Sequence, residues 1–212
     1  MEQKALHAMM NPHFIFNVIN SIQHFINAGD KGSANRYLGD FARLIRISSR
    51  FSEKSLVLLE EEIAYLELYL SFEKLRFGEH LTYEIIIEPV IDLRKTSIAV
   101  MMIQPYLENA IWHGILPASD NGHLILQIDQ ESDSLLKIIV MDNGVGINKL
   151  FLSNNLLKKP HDKLMASITL QRLKLMEETS GQDLYVCYKY LHPDRKNKGT
   201  IVEFLLPVLN YP

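Results

Sequence analysis

The hydrophobic period of the chain changes near Phe77, and this change constrains the fold more than any other feature of the sequence. Before it, apolar residues recur at helical spacing, and one such stripe consists of Leu59, Ile63, Leu66 and Leu70. Acidic residues at 60–62 fall in the first turn of that helix, where they favour the helix dipole. We therefore predict a helical part over residues 1–78.

After residue 78 the pattern is that of a mixed α and β part, residues 79–212. Its β-branched and apolar stretches predict strands at residues 83–88, 124–129, 135–141, 184–190 and 200–206. Helical stretches at about 98–114 and 163–178 separate them. The expected fold class is α+β, with an α/β sandwich following the helices. The sequence has no G-x-x-x-x-G-K-[ST] motif, which excludes a P-loop.

The helical part is expected to be a hairpin. Its first arm should end near residues 28–30, and its second arm should be interrupted near 48–55, where serines cluster and the apolar period fails. Two arms are too few to close a core. A second copy of the chain would complete a four-helix bundle, which predicts a homodimer. The alternative is that the hairpin packs against the part that follows.

His13 lies in the segment M-N-P-H-F-I-F-N-V-I-N-S at residues 10–21. Helical steps from it give a polar stripe that continues through Asn17, Asn20 and His24. Pro12 lacks an N–H and is expected to open the helix just before His13, which would increase the exposure of the imidazole. The alternative is an ordinary surface histidine at a helix start.

Two further motifs follow in the second part. The first is Q-P-Y-L-E-N-A-I-W-H-G at residues 104–114, and the second is M-D-N-G-V-G-I at 141–147. The N-P-H-F-I-F-N segment, followed by these two motifs, makes the chain resemble the LytS-type sensor histidine kinases. Those proteins have an N-P-H-F-x-F-N phosphoacceptor segment and a Bergerat-fold ATP site. Residues 37–46, 69–77 and 199–207 also look like segments of that family.

The resemblance implies a function. His13 would take a phosphoryl group from ATP and pass it to an aspartate of a response regulator. One alternative is a pseudokinase scaffold that dimerises and binds a regulator. Another is a Bergerat ATPase of the chaperone or mismatch-repair type, which His13 and the hairpin disfavour.

The D-N-G-V-G segment would form the adenine end of the site. Asp142 ends a predicted strand, where its carboxylate could accept a hydrogen bond from the adenine amino group. Gly144 and Gly146 would let the backbone turn tightly and approach the base. D-N-G alone is also a common turn signal.

The N-A-I-W-H-G segment would form the phosphate end. Asn109 offers an amide oxygen, a hard ligand suited to Mg²⁺ among the ATP phosphates. Glu108 could orient a water or the attacking imidazole, and the alternative is a solvated helix carboxylate. His113 could lie near the phosphates or the lid, or could act as a cap before Gly114.

Two positions depart from the family pattern. Met165 falls where the family has a lid glycine, and a residue with a Cβ disfavours positive φ and close approach to phosphate. Trp112 occupies a place where many histidine kinases have a lysine. Another cation would then have to serve the phosphates, and the candidates are Lys158, Lys159, Lys163 and Arg172.

Charge and hydropathy limit the partners. Lys and Arg number 22 against 25 Asp and Glu, a net charge of −3, and no basic run is present. Direct binding to nucleic acid is therefore not expected. No apolar run approaches the ~20 residues that span a bilayer. We expect this part in the cytoplasm, with the membrane reached through sensory segments outside this chain.

Overall fold

A computed structural model describes residues 12–118, 121–147, 160–195 and 198–209 of the protein, with the backbone alone at 12, 13, 160–168 and 170. These residues form helices packed beside a five-stranded sheet, so the predicted α+β class is confirmed. Within these ranges, no helix is both long and apolar enough to cross a lipid bilayer.

The N-terminal part begins with two helices joined by a tight turn. Helix α1 spans Pro12–Asn27 and helix α2 spans Lys31–Phe51. In the turn, Gly29 has a φ of 76°, which glycine adopts at little steric cost. The carboxylate of Asp30 caps α2 by accepting a hydrogen bond from the N–H of Ser33 at 3.0 Å. The first arm therefore ends where the sequence predicts, and α2 ends within the predicted interruption.

The predicted second arm is two helices, because a short strand interrupts it. Strand β1, Leu56–Leu58, leads into helix α3, Leu59–Phe77. Helix α3 contacts α1 and α2 and also the β-rich part of the chain. Helix α3 is therefore buried on several sides. Its buried residues are Leu59, Glu62, Ile63, Tyr65, Leu66, Tyr69, Leu70, Phe72 and Glu73.

The main sheet is mixed. Its strands are β2 at Leu81–Ile87, β4 at Gly122–Ser132, β5 at Leu135–Asp142, β6 at Val186–Tyr190 and β7 at Thr200–Pro207. Their order is β2-β4-β5-β7-β6, with β2 and β4 parallel and the other neighbours antiparallel. All five predicted strands are present with shifted ends. The parallel pair was not predicted, and it requires a crossover connection.

This crossover contains strand β3 and the helix that faces the sheet. Strand β3, Ser97–Ala99, pairs with β1, and helix α4, Gln104–Asn109, continues as a π-helix at Ala110–Ile115. The prediction of a helix from residue 98 was wrong at its start, because β3 and a turn occupy residues 97–103. The π-helix contacts β4 and β5, and helix α5, Pro160–Ser180, contacts α4 and β7.

Candidate functional site

A pocket lies between the helix of the crossover and the ends of strands β5, β6 and β7. Its lining within the described part of the chain consists of Tyr106, Asn109, Ala110, His113, Gly114, Asp142, Gly146, Ile147, Tyr188, Thr200 and Val202. The structure thus brings together four residues singled out from the sequence, namely Asn109, His113, Asp142 and Gly146.

Asp142 forms the buried acidic floor of this pocket. It is the last residue of β5 and is 3% exposed. Burial raises the pKa of its carboxyl to about 6, while hydrogen bonds from Gly144 and Thr200 lower it. The N–H of Gly144 donates to Oδ1 at 2.9 Å. A buried carboxylate is costly unless it accepts hydrogen bonds, so the site favours a ligand with an N–H donor.

Two glycines allow the D-N-G turn to touch the π-helix. A Cβ on Gly144 would lie 2.1 Å from the carbonyl carbon and oxygen of Gly114, and a Cβ on Gly114 would lie 2.7 Å from Oδ1 of Asp142. The N–H of Val145 donates to the Gly114 carbonyl at 3.0 Å. Gly144 therefore acts by close packing against Gly114, whose importance the sequence analysis missed because it was read as the end of a helix.

The side walls of the pocket are aromatic and aliphatic. Tyr106 is buried and stacks on Phe204 with ring centroids 4.2 Å apart. Tyr188 and Val202 lie on neighbouring strands β6 and β7. Gly146, with a φ of 88°, adopts a conformation that a residue with a Cβ rarely does. Flat apolar walls above a carboxylate suit a planar ring that carries an amino group.

The π-helix determines the opposite side of the pocket. Asn109 ends α4, and His113 lies within the π-helix, so that both half-buried side chains line the pocket. The helix continues past His113 to Ile115. Across the described ranges, no group of three or more His, Cys, Asp or Glu could hold a metal ion. The amide oxygen of Asn109 is a hard ligand of the kind that Mg²⁺ prefers.

Glu108 and Arg172 are absent from the described pocket lining. The carboxylate of Glu108 accepts a hydrogen bond from Nε2 of Gln104 at 2.8 Å. The guanidinium of Arg172 donates to the carbonyl of Val100 at 2.7 Å. Arg172 therefore has a polar partner away from the pocket, and both assigned roles stay predictions.

Trp112 also lies outside the described lining. Its ring packs against Arg76, whose guanidinium carbon lies 4.2 Å from a Trp112 ring centroid, and against Phe77 at 6.5 Å between centroids. Trp112 thus joins the π-helix to the end of α3 through a cation–π contact.

His13 is the second residue of α1, and its side chain, like that of Met165, lies outside the described atoms. The expected kink before it also involves residues outside the described ranges. Its neighbour Phe14 is buried and packs on Tyr69 of α3, with ring centroids 5.1 Å apart. Burial is the largest cause that raises the pKa of the Tyr69 hydroxyl, and the charge of Glu108 raises it further. The start of α1 therefore packs on α3, whose Tyr69 hydroxyl is influenced by the charge of Glu108.

Comparisons with known proteins agree with the resemblance seen in the sequence. The histidine kinase family model matches residues 1–81. The chain is 28% identical over 217 residues to the sensor protein LytS of Oceanobacillus iheyensis, covering 99% of this chain and 35% of that protein. It is also 28% identical over 207 residues to the sensor histidine kinase YpdA of Escherichia coli, covering 97% of this chain and 34% of that protein. The chain thus spans about a third of the length of these curated relatives.

A solved structure with the same fold is the histidine kinase domain of a blue-light activated histidine kinase from Erythrobacter litoralis. The superposition has a TM-score of 0.51 at 15% identity and covers 98% of this chain and 93% of that chain. At this identity the likeness concerns the fold alone. The predicted resemblance to the LytS-type sensor histidine kinases and the predicted fold class are confirmed.

Proposed function

We propose that this chain, a catalytic part similar to the LytS-type sensor histidine kinases, is an ATP-dependent protein-histidine kinase. It transfers the γ-phosphoryl group of ATP to His13 and then to an aspartate of a response regulator. Residues 1–78 provide the acceptor and the dimer contacts, and residues 79–212 provide the ATP site. The observation that carries this proposal is the buried Asp142 carboxylate in a pocket shared with Asn109 and His113.

Asp142 recognises adenine in this proposal. One carboxylate oxygen accepts a hydrogen bond from the exocyclic amino group, while hydrogen bonds from Gly144 and Thr200 hold the carboxylate in place. The apolar walls formed by Tyr106 and Val202 contact the flat faces of the base. Gly146 lets the backbone pass close to its edge.

Asn109 and His113 face the phosphates. Mg²⁺, when bound, neutralises charge on the phosphoryl group that is transferred. Asn109 holds this ion through its amide oxygen, and His113 contacts the phosphates or the lid. Arg172 was also assigned to nucleotide binding, and its contact with the Val100 carbonyl makes an indirect contribution the better proposal.

His13 is the nucleophile. A neutral imidazole nitrogen attacks the γ-phosphorus with its lone pair, the bond from phosphorus to the bridging oxygen breaks, and ADP leaves. Phe14 follows His13 where many kinases have an acid, so we assign Glu108 to orient the imidazole. The charge of Glu108 raises the pKa of Tyr69, and the ring of Tyr69 packs against Phe14, the residue after His13; these two observations support the assignment.

A homodimer would complete the helical part. Large apolar side chains of α1 and α2 are 37% to 65% exposed, namely Phe16, Ile19, Ile26, Leu38 and Ile45. Such a set on two adjacent helices is expected to be covered, and a second copy presents the same set in a two-fold arrangement. We place this part in the cytoplasm, where ATP and a response regulator are available, with the membrane reached through sensory segments of the whole protein.

A pseudokinase scaffold is the second candidate function. The observation that favours it is Met165 at the position of a lid glycine. Such a protein would dimerise and bind a regulator with weak or no turnover of ATP. The retained Asn109 and Asp142 support the active kinase instead.

Labelling with ATP tests the proposed function. The chain is incubated with Mg²⁺ and γ-labelled ATP, and the protein-bound label is tested in acid and in alkali. A phosphoramidate is lost in acid and kept in alkali, so an active histidine kinase gives acid-labile label, and α-labelled ATP gives none. Absence of label with tight ATP binding would support the scaffold, and acid-stable label would contradict phosphorylation on histidine.

A further inference from the structure

The turn before α4 has an unusual backbone conformation. Met101 has a φ of 54° and is, among the described residues, the sole non-glycine residue with a positive φ. It is 2% exposed. A side chain with a Cβ is disfavoured in this left-handed region and stays there only when its surroundings fix the backbone.

Two charged side chains hold the peptide unit between Val100 and Met101. The N–H of Met101 donates to Oε2 of Glu62 at 3.1 Å, and the carbonyl of Val100 accepts from Nη2 of Arg172 at 2.7 Å. In a trans peptide these two groups point in opposite directions, so Glu62 and Arg172 lie on opposite sides of it. We call this arrangement the peptide clamp.

The charges of the peptide clamp match the peptide dipole. The anion faces the positive N–H end and the cation faces the negative carbonyl end. Glu62 is fully buried, and burial raises its pKa to about 7, while the N–H of Met101 and the charge of Arg172 lower it. Burial also lowers the pKa of Arg172, and the charge of Glu62 raises it. Each group thus favours the charged form of the other, against the opposing effect of burial.

The position of the clamp connects three elements. Glu62 lies in the first turn of α3, and Arg172 lies in α5. The clamped peptide precedes Gln104, the first residue of α4. Gln104 is itself fixed, because its Oε1 accepts a hydrogen bond from the Tyr65 hydroxyl at 3.0 Å. The clamp and this bond thus act directly before α4 and at its first residue, and α4 ends at Asn109.

We propose that Glu62 and Arg172 are positioning residues that fix the start of the nucleotide-binding helix through the Val100–Met101 peptide, so that Arg172 supports ATP binding without touching the phosphates. This inference rests on the function proposed above. The peptide clamp also joins α3, which packs against the helix that carries His13, to α5, which contains Met165.

Comparison of the two clamp residues separates this role from direct phosphate binding. Calorimetry with adenosine, ADP and ATP is carried out on Arg172→Met, Arg172→Lys and Glu62→Gln. Helix α4 carries both Tyr106, beside the proposed adenine site, and Asn109, beside the proposed phosphate site, so Arg172→Met should weaken the binding of all three ligands, that of ATP by roughly tenfold for the loss of one charged hydrogen bond. Arg172→Lys, which keeps a charged donor, restores part of the affinity, and Glu62→Gln should weaken the binding of the three ligands in the same order as Arg172→Met. Unchanged adenosine affinity in Arg172→Met, with a loss for ADP and ATP that Glu62→Gln does not share, would overturn the proposal.

Matched controls come from the same helices. Lys174→Met removes an exposed cation of α5, and Glu61→Gln removes an acid next to Glu62 that pairs with Lys54 at the surface. Both controls should keep the parental affinities. Removing both charges of the clamp, in Glu62→Gln with Arg172→Met, should cost less than the sum of the single losses, because both residues hold one peptide. Additive losses would count against the clamp.

Amide hydrogen exchange tests the clamp without a nucleotide. The Met101 amide should exchange faster in Glu62→Gln and Arg172→Met than in the parent, with unchanged exchange in strand β5. If the parent bound no nucleotide, the proposed function would fail, while faster exchange would still support the clamp. Unchanged protection of Met101 in both variants would overturn the clamp, whatever the nucleotide affinities.

Discussion

The backbone of Gly114 lies against the carboxylate of Asp142, so closely that a Cβ on Gly114 would be 2.7 Å from Oδ1. The two residues are 28 positions apart, and they meet because the π-helix contacts the end of β5. The contact fixes the distance between the helix that carries Asn109 and the acidic floor of the pocket.

Gly114→Ala is therefore expected to displace Asp142 or the π-helix. We expect ATP affinity to fall by about tenfold or more, since roughly 1.4 kcal/mol of lost binding has that effect. Calorimetry with ATP checks this loss. Gly39→Ala is the matched control, because an added Cβ there meets no atom within 4 Å. Equal losses in the two variants, or none in Gly114→Ala, would show that the contact with Asp142 does not shape the site.

Asp142→Asn and Asn109→Ala should differ in their dependence on Mg²⁺. In the first variant one acceptor oxygen of the carboxylate becomes an NH2 donor and the charge is lost, so its ATP affinity should fall both with and without Mg²⁺. The second loses the proposed metal ligand, so its ATP affinity should become nearly independent of Mg²⁺. Asp133→Asn, in the exposed turn between β4 and β5, serves as control. If both site variants lost the same affinity with and without Mg²⁺, the division of roles would be wrong.

Met165→Gly should relieve a steric block if the lid backbone must approach phosphate. ATP should then bind more tightly while adenosine binds as before, and autophosphorylation should rise. The added backbone entropy of roughly 0.5–1 kcal/mol could offset part of the gain. Binding of both ligands and the labelling rate are compared with the parent. Identical values would mean that this methionine does not restrain the lid.

Asp142 should also give the stability of the chain a pH dependence. Burial raises its pKa from 3.8 to about 6, so the folded state holds the proton more tightly than the unfolded chain does. The resulting stabilisation is complete below the unfolded pKa of 3.8 and is lost as the pH rises through about 6. Relative to Asp142→Asn, the free energy of unfolding of the parent should fall across this window by up to about 1.4 kcal/mol per pH unit. Urea titrations without nucleotide measure it, and parallel profiles would contradict it.

The parts of the fold that follow from local pattern were predictable. The alternation of buried and half-exposed residues in β5 matches the period-two pattern, and Asp142 continues it at the buried end. Strands β1 and β3 were missed because three residues are too few to show a period. Each becomes a strand only by pairing with the other.

The site was predictable where a motif held its residues together, and less so where contacts are distant in sequence. Asn109, His113 and Asp142 came from two short motifs and line one pocket. The partner of Arg172 could not be foreseen, because Val100 lies 72 residues away in the sequence and directly before the unusual turn at Met101. From its position in the sequence alone, Arg172 was predicted as a candidate cation for the phosphates.

The most direct test of the proposed histidine kinase activity is the phosphorylation of His13. The parent, His13→Ala and His24→Ala are incubated with γ-labelled ATP and Mg²⁺, and acid-labile label is measured on each. His24 is the matched control, since it is an exposed histidine on the same helix. We expect acid-labile label on the parent and on His24→Ala and none on His13→Ala, with equal ATP affinity in all three. Label that persists in His13→Ala would contradict this expectation.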